Sequence, residues 1–165
     1  MFIHEMFQQK PCVFSVEVFP PKKAGAAEET LYPVLRELCT LGPDYISVTY
    51  GAGGGTAGQS TAKIASYIKN GLHVEALAHL TCVNSTRVQV EETLTRLRED
   101  NVENVLALRG DINPDLPRRM DFLHASDLAK AIAQTGGFGV AGACYPEGHV
   151  ESPSLKADVE SLRYK

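Results

Sequence analysis

Five apolar runs in this chain each end in side chains that cost free energy to bury unless they find a partner or a task. Glu17 sits inside "SVEVFPP", Thr49 and Tyr50 close "SVTYG", and His79 lies within "LAHLTC". Arg109 and Asp111 follow in "LRGD", and Tyr145, Glu147 and His149 in "CYPEGH". A carboxyl in an apolar strand needs a partner or a raised pKa, so Glu17 is either ion-paired structure or functional. A histidine there is a hydrogen-bonded core residue or a functional one, and spacing alone does not choose. Arg109 and Asp111 are spaced for a local ion pair, the structural reading set against a functional one. "RGD" as an adhesion tripeptide needs display on an extracellular loop, which a strand end does not provide.

The tract "VTYGAGGGTAGQST", residues 48 to 61, imitates two phosphate-binding loops. Gly53, Gly55 and Gly58 fit G-x-G-x-x-G, and Gly53 to Ser60 fits a P-loop with Gln59 in the lysine position. A dinucleotide fingerprint follows the first strand of its unit and is answered by an acid at the end of the next. Here the tract follows the second run, and Glu75 opens the third. A neutral Gln59 gives phosphate no charge, and no strand ending in Asp follows. Both matches read as accidental, and a plain glycine-rich loop stays open beside a nucleotide-contacting one.

These side chains must be positioned by strands and helices in alternation. The strand-like runs are "CVFSVEVF" from Cys12, "YISVTY" from Tyr45, "VEALAHLTC" from Val74, "NVLALRG" from Asn104 and "FGVAGACY" from Phe138. Between them lie helical patterns: "AEETLYPVLRELCTL", "STAKIASYIKN", "RVQVEETLTRLRED" and "ASDLAKAIAQT", with "SPSLKADVESLRYK" last. In the third, Val88, Val90, Leu94 and Leu97 are assigned to one face, behind candidate N-caps Asn84, Ser85 and Thr86. Five strand–helix units of roughly 30 residues predict a parallel α/β sheet. Length favours an open doubly wound sheet, since a (β/α)8 barrel takes about 250 residues. Polar groups at all five strand ends favour the barrel, whose chemistry gathers from several strands at one face.

With 44% hydrophobic and 22% charged residues and a net charge of −4, the 165-residue chain has no electrostatic reason to meet nucleic acid or an anionic membrane. No apolar run reaches the roughly 18 residues of a membrane span, and "MFIHEMFQQKPC" lacks the features of a secretory signal. Cys12, Cys39, Cys82 and Cys144 form no C-x-x-C pair. Three of them, Cys12, Cys82 and Cys144, fall in strand-like runs, so buried reduced thiols in a cytoplasmic protein without metal are expected.

In order, "FSVEVFPPK", "YISVTYGAGG", "AHLTC", "LALRGD" with "ASDL", and "CYPEGH" with "ADVESLRYK" resemble the methylenetetrahydrofolate reductases of the bacterial type across essentially the whole chain. The resemblance implies a (β/α)8 barrel with FAD at the C-terminal ends of its strands. It implies reduction of 5,10-methylenetetrahydrofolate to 5-methyltetrahydrofolate by NADH or NADPH through the flavin, in a ping-pong cycle of one-carbon metabolism. Glu17 matches the family's general acid, which protonates a folate nitrogen, and Asp111 the aspartate beside flavin and folate. Thr49, Tyr50, Ala52, His79, Arg109, Gly110, Asp111, Ala125, Tyr145, His149, Asp158 and Lys165 match FAD-contacting positions.

Departures from the family pattern are local. The glycine tract lacks the arginine usual a few residues on, His124 stands where tyrosine is common, and Ser161 and Tyr164 replace polar and basic residues. The chain stops at Lys165, inside the fifth helix. The expectation is therefore a single domain over 1–165, the first five units of a flavin-dependent barrel: a fragment or shortened product that needs a homo-oligomeric or complementing chain for turnover. The rival readings are a non-catalytic flavin- or folate-binding homologue and an unrelated open-sheet nucleotide binder.

Overall fold

The computed structural model describes residues 1–23, 25–50, 57–111 and 119–164. Five strands form one sheet: β1 (Ser15–Val18), β2 (Tyr45–Val48), β3 (Glu75–Thr81), β4 (Asn104–Leu108) and β5 (Gly139–Gly142). All pair in parallel, in the spatial order β1-β2-β3-β4-β5. A doubly wound sheet reverses its strand order at a switch point; this one never does, so each crossover advances by one strand in the same direction. That is the winding of a (β/α) barrel, here as an open five-stranded arc with β1 and β5 at its edges.

The helices are α1 (Ile3–Gln9), α2 (Tyr32–Cys39), α3 (Ala57–Ser66), α4 (Arg87–Glu99), α5 (Ala125–Thr135) and α6 (Leu155–Ser161). A π-helical turn leads into α2 and another continues α3. Strand parity divides the sheet in two. Val18, Ile46, Val48, Ala76, Ala78, Leu80, Val105 and Ala107 point to the helices and join Leu35, Ile64, Ile68, Leu94, Leu97, Leu128 and Ile132 in one buried cluster. The opposite parity, the inner face of the arc, carries Glu17, Ser47, Leu77, His79 and Asn104.

α4 shows how sequence becomes an element. Thr86 is its N-cap, accepting from the Gln89 amide while Gln89 reaches back to the Thr86 amide. Val90, Leu94 and Leu97 are buried at spacings of four and three. Val88, expected with them, is 60% exposed, because two residues before Val90 means about 200° around the axis. Across the outer layer, the Tyr32 and Tyr67 rings stack with centroids 3.7 Å apart, joining α2 to the turn after α3.

The N-terminal helix was not legible in the sequence. It closes the N-terminal end of the strands, where buried Asn104 accepts from the Ile3 amide and donates to the Met1 carbonyl. The Met1 amine also lies within 3.1 Å of Glu75 and 3.0 Å of Glu103. Two expectations about cysteine are corrected. Cys12 and Cys144 are exposed, because β1 starts only at Ser15 and β5 ends at Gly142. Cys82 is buried, and all four thiols are free. No described helix is long and apolar enough to cross a membrane.

Candidate functional site

Register places the first cluster. Glu17 and Ser47 are direct partners between β1 and β2, both on the inner face. The Ser47 hydroxyl donates to Glu17 Oε2 at 3.0 Å. His79 reaches the same oxygen from β3, one inward position further along, with Nε2 3.4 Å from Oε2. That contact lacks hydrogen-bond geometry, so Nε2 is buried without a partner. Burial pushes the His79 pKa down, opposed by the Glu17 carboxylate, and favours a neutral ring. Glu17 is less enclosed than its apolar neighbours suggest: its side chain is 48% exposed, because the apolar residues of β1 face the helices and Glu17 faces the other way.

The end of β4 supplies the second group. Gly110 has φ +81°, and a Cβ there would lie 2.9 Å from Thr81 Cβ, so only glycine fits. The preceding Arg109 carbonyl accepts from the Cys82 and Val83 amides, at 3.2 and 2.8 Å, which ties this bend to the end of β3. Arg109 does not form the local ion pair that its spacing from Asp111 allowed. Its guanidinium grips Glu151 with two bonds of 2.5 and 2.8 Å, which raises the arginine pKa; Asp111 adds only a longer-range charge. The Asp111 carbonyl accepts weakly from Asn84.

The β5–α6 loop is a folded unit around that bridge. Tyr145 and His149 pack edge to face at 5.3 Å. The His149 amide donates to Asp158 and the Glu151 amide to His149 Nδ1. Asp158 thus acts here on loop backbone. Thr49 sits at the strand end, its amide bound to the Val18 carbonyl and its own carbonyl accepting from Thr61.

Two expected residues lie apart. The Tyr50 ring packs on the core, with Ser85 and the Gly58 backbone beside its hydroxyl; burial raises its pKa. Ala125 opens α5 and lines a groove of about 290 Å³ with Ala129, Val140, Gly142 and Tyr164. Ala52, the glycine tract through Gly55, and Lys165 lie outside the described residues. Ser47 and Glu151 had not been singled out in the sequence. Strand parity with Glu17 would have found the first; a loop glutamate carries no comparable signal. Among the described residues no cluster of three or more metal-ligating side chains occurs.

The family described as methylenetetrahydrofolate reductase matches residues 2–165. A 5,10-methylenetetrahydrofolate reductase of Pectobacterium carotovorum is 37% identical over 151 residues, covering 92% of this chain and 49% of the relative. The protein of that name from Escherichia coli K12 is 34% identical over 92% of this chain and 50% of its own length. Methylenetetrahydrofolate reductase (NADH) 1 of Arabidopsis thaliana is 37% identical, with 89% of this chain and 26% of the relative covered. The chain spans about half the length of the bacterial relatives it matches.

Proposed function

The chain belongs to the methylenetetrahydrofolate reductase family, and from that membership we propose that its inner face takes part in NAD(P)H-dependent reduction of 5,10-methylenetetrahydrofolate, with FAD as cofactor. The observation that carries the reading is the Glu17–Ser47–His79 cluster: a carboxyl held inside a curved sheet, reachable from solvent, with an unpartnered buried nitrogen beside it.

Glu17 gives its proton to a folate ring nitrogen and so opens the five-membered ring. Its partial exposure leaves room for a ligand atom and a route for reprotonation. His79, neutral beside it, offers a polar contact to the cofactor. Bound FAD supplies the relay of hydride from NAD(P)H to the folate carbon. The residues at hand suit it: Gly110 bends the chain closely past Thr81 at the end of β4, Thr49 stands at the end of β2, and Arg109 is a cation whose remaining N–H groups can meet an anionic oxygen. Asp111, Tyr145, His149 and Asp158 belong to the same rim as contacts or loop supports, with Tyr50 and Ala125 in outer positions. Ala52 and Lys165 complete the assignment by resemblance.

We read residues 1–165 as one domain of this barrel. The open arc favours a second reading as well, in which the chain binds flavin but turns over only when further strands or a second chain cover β1 and β5.

The test is spectroscopic. The protein should take up FAD, bleach with NADH or NADPH, and regain colour with the folate substrate. Glu17→Gln should leave bleaching within a few-fold of wild type and lower folate-dependent reoxidation by about a hundredfold or more. A protein that takes up no FAD sinks the reading; equal loss of both half-reactions sinks the role of Glu17.

A further inference from the structure

The two oxygens of the Glu17 carboxyl are not equivalent. Oε2 accepts from the Ser47 hydroxyl at 3.0 Å and faces His79 Nε2 at 3.4 Å. Among the described residues Oε1 has no hydrogen-bond partner. Ser47 is itself buried, 7% exposed, and its place beside Glu17 is fixed by strand register rather than by a mobile loop. Resting on the reading of Glu17 as proton donor, we propose that Ser47 is the positioning residue of that carboxyl. Its hydroxyl pins Oε2 and so assigns proton delivery to Oε1.

The step balances simply. The Oε1–H bond breaks, its electron pair stays on the carboxylate, and the proton joins the lone pair of the substrate nitrogen. As charge develops on the carboxyl, the Ser47 hydrogen bond strengthens, because a hydroxyl binds a carboxylate more tightly than a neutral acid. Ser47 therefore favours release of the proton. Without it, the carboxylate loses a donor and the carboxyl turns more freely. Among the described residues, the titratable group set against the carboxyl is His79, from β3; the described helices pack on the opposite face of the sheet. Arg109 is occupied by Glu151.

The experiment reads Glu17 directly, by carboxyl-carbon NMR across pH in the protein, with the resonance assigned by its disappearance in E17Q. Ser47→Ala should displace the midpoint of that titration upward from wild type, because the carboxylate loses the Ser47 donor. Ser47→Cys, which keeps the volume and replaces a strong donor with a weak one, should move it in the same direction and serves if the alanine variant folds poorly. Midpoints equal to wild type in both variants overturn the proposal. Where turnover is measured, the high-pH limb of folate reduction should move by the same interval, whereas a purely structural lesion lowers the rate without moving the limb. Because the titration needs no turnover, a protein that never reduces folate counts against the proposed function while Ser47 is judged on the NMR alone.

Discussion

Gly110 is the residue at which backbone geometry and site meet. Its φ of +81° lies in the left-handed region, and Thr81 crowds the place a Cβ would take. An L side chain there meets both a dihedral cost of about 1–2 kcal/mol and an overpacking cost of about 1–3 kcal/mol. Gly110→Ala should therefore lower stability by roughly 2–5 kcal/mol, read from the urea midpoint at unchanged slope. Adding Thr81→Ala removes the Cγ2 and Oγ1 neighbours at 3.2 and 3.5 Å but keeps the Cβ at 2.9 Å and leaves φ untouched, so it should recover only a minor part of that loss. Full recovery would mean that the dihedral costs nothing. The three residues of the Glu17 cluster differ in how visible they were. Glu17 and His79 declared themselves as polar types in apolar runs, whereas Ser47 is an ordinary serine until the β1–β2 register sets it against Glu17.

Among the elements, the β5–α6 loop depends most on interactions that no local pattern encodes. Arg109 leaves β4 and Glu151 sits in the loop, 42 residues apart, yet their two bonds fasten the loop to the sheet. Strands and helices were legible because hydrophobic periodicity repeats; a long-range bridge between two loops has no period to read. The same distinction explains α1, whose packing is set by Asn104 far along the chain rather than by its own seven residues. Glu151 is about half exposed, so the bridge adds little to global stability. Glu151→Gln should change the unfolding free energy by less than about 1 kcal/mol while speeding amide exchange across residues 145–152. Salt should speed wild-type exchange there in the same sense, as screening weakens the pair. If exchange in the variant matches wild type, the bridge is not what holds the loop.

Over the whole molecule, the alternation of strands and helices was readable, but the choice between an open doubly wound sheet and a barrel arc was not fixed by it. Polar strand ends pointed to the barrel, and the unreversed order β1-β2-β3-β4-β5 decides it, because order depends on where each crossover helix packs. That packing also sets the alkaline behaviour of the fold. Cys82 lies fully inside the cluster between sheet and helices, and burial, with the Asp127 charge second, pushes its thiol from 9.0 up to about 11. A raised acid favours the folded state fully below the unfolded value, and the contribution disappears as pH climbs through the folded one. Stability should therefore fall between about pH 9 and pH 11, by up to roughly 3 kcal/mol from this group. Cys82→Ala should be less stable at neutral pH, yet lose less than wild type across that interval in parallel urea titrations. A thiol reagent at pH 8 should modify exposed Cys12 and Cys144 readily and reach Cys82 only on unfolding. Rapid labelling of Cys82 in the folded protein, or equal alkaline losses in both proteins, would place that thiol outside the sealed layer and undo the argument.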